Sequence, residues 1–195
     1  HIATIQRIEE DKYVWLDRFT IRNLELVYSV QEGGVPLIYL MDQTMTPMGA
    51  RLLRKWMVLP LKDLAAIQER QAGVAGLLEL EETMDLLISL LKPIGDLERL
   101  ISKVAAGRIN PRELVQLKRA LQQVPAIKEL LSTHPAPIIQ KWADQLNPCL
   151  HLVKKIESAL RDDAPMLVHQ GGIIKTGFMP ELDELHLLST NGKDY

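Results

Sequence analysis

The sequence predicts a mainly α fold: a multi-helix core domain with a few short strands and a β-hairpin leading into a final long helix. Three observations predict it. Aromatic residues make up only 5% of the chain while leucine is abundant, which favours helix packed on helix over a β core. From Thr46 onward, apolar residues recur at helical spacing. At several points Thr, Asp or Asn stands just before a proline or an apolar run, the pattern of a helix start.

The elements follow in order. Tyr13-Val14-Trp15-Leu16 reads as a short strand, after which Asp17 or Thr20 caps a helix through Arg22 to Leu26. Gly33-Gly34 and Pro36 then break the chain into a loop. Thr46 is an N-cap and Pro47 the first helical residue, where its missing N–H costs nothing; Leu52, Leu53 and Trp56 follow, and Pro60 ends the run. Asp63 caps a helix whose apolar positions are Leu64, Ile67, Val74 and Leu78. A third helix covers 82–91, ahead of Pro93. A fourth covers 96–106, with Leu97, Leu100, Ile101 and Val104 as its stripe and Gly107 in the left-handed position beyond it. The fifth opens at Asn110-Pro111-Arg112-Glu113, a capping box with Asn as the cap, and turns Leu114, Leu117 and Leu121 inward. Further helices are predicted at 137–146 and 148–160, the latter opened by Asn147-Pro148. The period then changes. Met166-Leu167-Val168-His169 and Ile173-Ile174-Lys175-Thr176 flank Gln170-Gly171-Gly172, which reads as a β-hairpin near 166–177. After Pro180, Leu182, Leu185 and Leu188 mark the face of the last helix.

Composition excludes several classes of function. The 195 residues carry 23 Lys and Arg against 25 Asp and Glu, a formal net charge of -2, so no overall basic balance advertises nucleic-acid binding. The single cysteine, Cys149, rules out an internal disulfide and fits a reducing compartment, so a cytoplasmic location is expected. No apolar run approaches the roughly 18 residues of a membrane span, and no membrane partner is expected. The chain starts at His1 and stops in a polar stretch, and it is read as a piece of a longer protein. The only Gly-Lys pair, Gly192-Lys193, fails as a P-loop because Leu187 stands where the first glycine belongs and Asp194 follows the lysine. His1, His134, His151, His169 and His186 lack metal-binding spacing, so no metal site is expected. Glu9-Glu10-Asp11, Glu81-Glu82 and Asp162-Asp163 are sequence neighbours that point to different faces, not a paired acid and base. Arg51, Arg54 and Lys55, and Lys118, Arg119 and Lys128, form weak basic clusters diluted by acids and read as solvated helix faces. No catalytic, cofactor-binding or metal-binding residue is identified.

Taken together, five blocks in register resemble the MutS family of DNA mismatch-repair proteins. Tyr13-Val14-Trp15-Leu16-Asp17, Thr20 and Arg22-Asn23-Leu24-Glu25-Leu26 resemble the opening of its core domain. Leu40 to Trp56 is similar to the family's L-D-x-T-x-T-x-x-G-x-R-x-L-x-x-W stretch, with Met41 in place of the usual Leu, and is followed by Pro60-Leu61 and Arg70. Asp96-Leu97-Glu98-Arg99 matches D-L-E-R, and Pro111-Arg112-Glu113-Leu114 matches P-[RK]-[DE]-L. Gly171-Gly172-Ile173-Ile174-Lys175-Thr176-Gly177-Phe178 with Leu182-Asp183-Glu184-Leu185 resembles the stretch entering the family's long lever helix.

The resemblance implies three parts: 1–12 as a linker from a preceding domain, 13–179 as the core domain, and 180–195 as the start of a lever cut short of the DNA clamp. It implies a non-catalytic segment of a DNA-dependent ATPase. That segment couples the ATPase domain to mismatch-sensing and DNA-clamping domains. The family's Phe-x-Glu motif is missing here, since Ile21 and Pro180 stand two residues after Phe19 and Phe178. By resemblance the parent uses ATP and Mg, binds mismatched double-stranded DNA, forms a homodimer and works with MutL, while this segment holds no cofactor. The residues expected to carry structure and coupling are Thr46, Pro47 and Gly49 at a helix start, Arg51 and Trp56 tying that helix to its neighbours, Asp96 and Arg99 as an ion pair or cap, and Gly171 and Gly172 aiming the lever. The last helix is expected to leave its leucine face bare or to cover it by self-association. The alternative reading is an autonomous helical protein-interaction module.

Overall fold

The computed structural model describes residues 10–191, with side chains described over 11–189. Residues 1–9 of the expected linker and 192–195 of the expected lever, with Gly192-Lys193, lie outside the described residues. Among the described residues the chain is mainly helical: α1 (Arg18–Asn23), α2 (Leu37–Met41), α3 (Pro47–Val58), α4 (Leu64–Glu79), α5 (Glu81–Leu91), α6 (Leu97–Ala105), α7 (Pro111–Leu121), α8 (Val124–Ser132), α9 (Pro137–Gln145), α10 (Leu150–Ala159) and α11 (Pro180–Asn191). No helix among them is long and apolar enough to cross a membrane.

Side chains that satisfy the first free N–H groups set the starts of α1, α3, α4, α6 and α7. Asp17, Thr46, Asp63 and Asp96 each accept from the backbone N–H three residues on. Asn110 and Glu113 form a reciprocal capping box at α7. Five helices, α2, α5, α8, α9 and α10, have no such side-chain cap. α8 follows α7 after Gln122-Gln123 and has no side-chain cap, and α2 begins after Pro36 with none.

α7 is the spine, burying Val115, Leu117 and Ala120 along its length. The larger cluster joins Ile94, Ala120, Ile127, Leu131, Ile139 and Ala143, with Ile139 fully buried where α8 and α9 pack together. The smaller cluster joins Val115 to Leu160 and Ala164 beside α10, with Ile173 and Ile174 packed on it. Lys118 is the one buried lysine among the described residues, with a side chain 5% exposed. Its ammonium donates to Asp162, just beyond α10, and that bond chiefly holds the Asp162 carboxyl below its usual range. An unpaired charge at that depth would be costly, so the pair fixes the chain as it leaves α10.

The expected strands and hairpin do not form. Among the described residues near the N-terminus there is only an isolated bridge, between Tyr13 and Leu61. The stretch 166–177 is not a hairpin either. Val168–Gln170 make a turn of 3-10 helix, and Met166, Leu167 and Val168 are exposed. The second arm pairs instead with the end of α10: Arg161 N donates to Ile173 O and Lys175 N to Ala159 O, both at 2.9 Å. The physical reason is packing. Ile173 and Ile174 sit on the smaller cluster beside Leu160, whereas the first arm has no apolar surface to lie on. Gly171 and Gly172 do hold positive φ, +70° and +65°, but in a loop.

α4 also turns differently from its apolar pattern. Leu64, Val74 and Leu78 are exposed, and the buried positions are Gly73 and Gly76. The glycines let α4 lie close against α9: a β-carbon on Gly73 would sit 2.1 Å from Trp142 Cη2, and one on Gly76 2.9 Å from Ala136 Cβ.

Candidate functional site

α3 buries none of its own residues, and Met48 alone of its side chains packs on the larger cluster. The helix is held mainly at its two ends. At the start, the Thr46 hydroxyl accepts from Gly49 N at 3.1 Å and Pro47 occupies the first turn. Space at Gly49 is tight, because a β-carbon there would sit 3.2 Å from Thr44 Cβ. Thr44 is itself fixed: its hydroxyl and amide both donate to Asp42 Oδ1, at 2.6 and 3.1 Å, and these bonds hold the Asp42 carboxyl below its usual range.

One turn on, Arg51 reaches across to α6. Its Nη1 and Nη2 donate to the two carboxylate oxygens of Asp96 at 2.9 and 2.7 Å, the bidentate geometry that the planar guanidinium favours. Its Nε and Nη2 also donate to Glu98 Oε2, at 2.9 and 2.6 Å. The two carboxylates push the guanidinium pKa further up, Asp96 most. In return, Arg51 first and then the Arg99 amide hold Asp96 at about 2. Asp96 therefore does two jobs, since it also caps α6 by accepting from Arg99 N at 3.1 Å. The structure brings Asp96 to the guanidinium of Arg51, while Arg99 contributes its amide.

The far end of α3 is held by stacking. Arg70 of α4 places its guanidinium carbon 3.7 Å from the centroid of the Trp56 ring, a cation–π contact. So α3 bridges α4 and α6 through polar and aromatic clasps rather than through burial. Such an element can shift at lower cost than a core helix, because few apolar contacts must break. Gly171 and Gly172 lie in the loop that precedes α11.

Sequence reasoning quoted Glu98 and Arg70 in motifs without giving them a role. No local pattern could supply one, because Glu98 meets Arg51 and Arg70 meets Trp56 only through the packing of separate helices. Apolar side chains stay bare on several elements: Trp15, Phe19, Tyr28, Tyr39 and Leu40 near the N-terminus, Ile101 and Val104 on α6, and Leu185, Leu187 and Leu188 on α11. A chain of this size does not ordinarily leave so much large apolar surface in water unless something covers it.

Comparison with known proteins assigns this architecture. The family described as MutS domain III matches residues 19–190. The chain is 56% identical over all 195 residues to the DNA mismatch repair protein MutS of Cytophaga hutchinsonii, and covers 23% of that protein. It is 48% identical over its full length to the MutS of Bacteroides fragilis and 47% to that of Flavobacterium johnsoniae, covering 23% and 22% of them. The chain thus spans less than a quarter of the length of these relatives.

Proposed function

The chain belongs to the MutS family, as its domain III, and on that premise we propose that it is the core and lever segment of a mismatch-repair ATPase, carrying conformational change between parts that lie outside it. The observation that carries this reading is the way α3 is clasped, by Arg51 to Asp96 and Glu98 at one end and by Trp56 to Arg70 at the other. A helix clasped at both ends moves as a rigid strut, so displacement of α4 or of the N-terminal segment reaches α6 and α7. Thr46, Pro47 and Gly49 fix where the strut starts, and Gly171 and Gly172 set the direction in which the chain enters α11.

The parent's ATP and Mg belong to this proposal, not to these residues. No P-loop is present in the sequence, and the described residues hold no group of three or more His, Cys, Asp or Glu that could take a metal ion. Mismatched double-stranded DNA, a second copy of the parent and MutL are proposed as partners of the whole protein. The α11 leucine face is proposed to be covered by a returning segment of the parent or, in the isolated chain, by a second copy.

The test is Arg51→Ala in the full-length protein that carries this segment. Basal ATP hydrolysis and mismatch affinity are expected to persist, while stimulation of hydrolysis by mismatched DNA falls. Unchanged stimulation overturns the coupling role of the clasp.

A further inference from the structure

A cleft of about 590 Å³ lies between α6 and α7 and shares Asp96 with the α3 clasp. Its volume is in the range of small-molecule sites. Ile94 and Leu100, both buried, lie among its lining residues, together with the charged side chains of Asp96, Arg99, Lys103, Glu113 and Arg119.

The charges are not evenly spent. Asp96 is engaged by Arg51 and by the Arg99 amide. Glu113 is engaged by Lys103 and by the Asn110 amide. Both carboxylates in the cleft are thus already neutralised. Arg119 uses one N–H on Asp162 O at 3.2 Å, which leaves most of its fork free. The Arg99 side chain makes no hydrogen bond or ion pair among the described residues. It is nevertheless near both carboxylates, since its charge helps hold Asp96 and Glu113 down, after Arg51 for the one and Lys103 for the other. Arg99 and Lys103 stand one helical turn apart on α6, and Arg119 comes from α7. The cleft therefore carries one excess positive charge, borne on guanidinium forks, above an apolar floor.

We propose that this cleft binds a small phosphate-bearing ligand, with Arg99 and Arg119 gripping the phosphoryl oxygens and Ile94 and Leu100 receiving an organic body. Forks arriving from two helices suit a tetrahedral oxyanion, which offers acceptors in several directions, better than a planar carboxylate that one fork satisfies. The volume exceeds that of phosphate alone, so a phosphomonoester fills it better than the free ion. The site shares Asp96 with the clasp, but its ligand contacts fall to Arg99 and Arg119, so it stands or falls without the coupling reading.

The test is titration of the 195-residue chain at low salt with inorganic phosphate and with phenyl phosphate, followed by calorimetry and by NMR of the arginine Nε–H groups. Saturable binding that shifts the Arg99 and Arg119 signals is expected. Arg99→Gln and Arg119→Gln should each weaken it about tenfold, the loss of one charge-assisted contact, with melting temperatures unchanged. Tighter binding of phenyl phosphate identifies an ester as the ligand class, and equal binding identifies the free ion. Absence of saturable binding overturns the proposal, as does binding that both variants leave untouched.

Discussion

Replacing Gly73 with alanine adds one methyl group where α4 meets α9, and the structure lets its effect be worked out. The added β-carbon would lie 2.1, 2.6 and 3.2 Å from Cη2, Cζ2 and Cζ3 of Trp142. Two terms oppose each other. Alanine is favoured over glycine inside a helix by about 1 kcal/mol. Overpacking a fitted contact costs about 1–3 kcal/mol, and here the obstacle is a wide ring rather than a flexible chain end. Relieving the overlap requires more than an ångström of movement by the ring or by α4. With so close an overlap the cost falls at the upper end of that range, leaving a net loss of up to about 2 kcal/mol, which for a chain of this size lowers the melting temperature by up to roughly 8 °C. Thermal unfolding followed by circular dichroism reads this directly. In a Trp142→Leu background the obstacle is gone, so the same alanine should become neutral or stabilising, and the cycle should show the two sites coupled. Gly73→Ala that stabilises the unaltered chain by the full helix-propensity gain would refute the close approach of α4 and α9.

Two further outcomes follow from the same physics. Ile139, fully buried between α8 and α9, should cost about 2–5 kcal/mol when cut to alanine, measured by urea unfolding, because the cavity cannot collapse in a tight helix pair. Asp96 is held at about 2 against a usual 3.8, so its contribution to stability is present above the usual value and is lost as pH falls toward 2. Acid unfolding curves of the unaltered chain and of Asp96→Asn should therefore converge at low pH and separate above about 4.

Much of the helical framework was legible because its signals are local. Thr46-Pro47, Asp63, Asp96 and Asn110-Pro111 announce helix starts through side chains that reach only three residues, and the structure uses each of them as a cap. α8 was not legible, since Gln123 offers no capping bond. The packing face of α4 does not follow its apolar positions, for a different reason. Apolar periodicity identifies the face that is driest on average, but close packing of two backbones is governed by the smallest side chains, and those are Gly73 and Gly76. The hairpin failed because pattern and turn chemistry do not say whether an arm has a surface to lie on. Ile173 and Ile174 had one beside Leu160, and Met166 to Val168 did not. At the candidate site, the resemblance picked out the blocks holding Arg51 and Asp96, but their meeting is a contact across 45 residues that one sequence does not reveal.

The central claim is that the clasped α3 helix carries movement between its neighbours. The most direct measurement places spin labels on Gln68 of α4 and Ser102 of α6 in the full-length protein and reads their separation with and without nucleotide and mismatched DNA. The account predicts a ligand-dependent change in distance that disappears in Arg51→Ala, although both ligands still bind. An identical change in the variant, or no change in the unaltered protein, would contradict it.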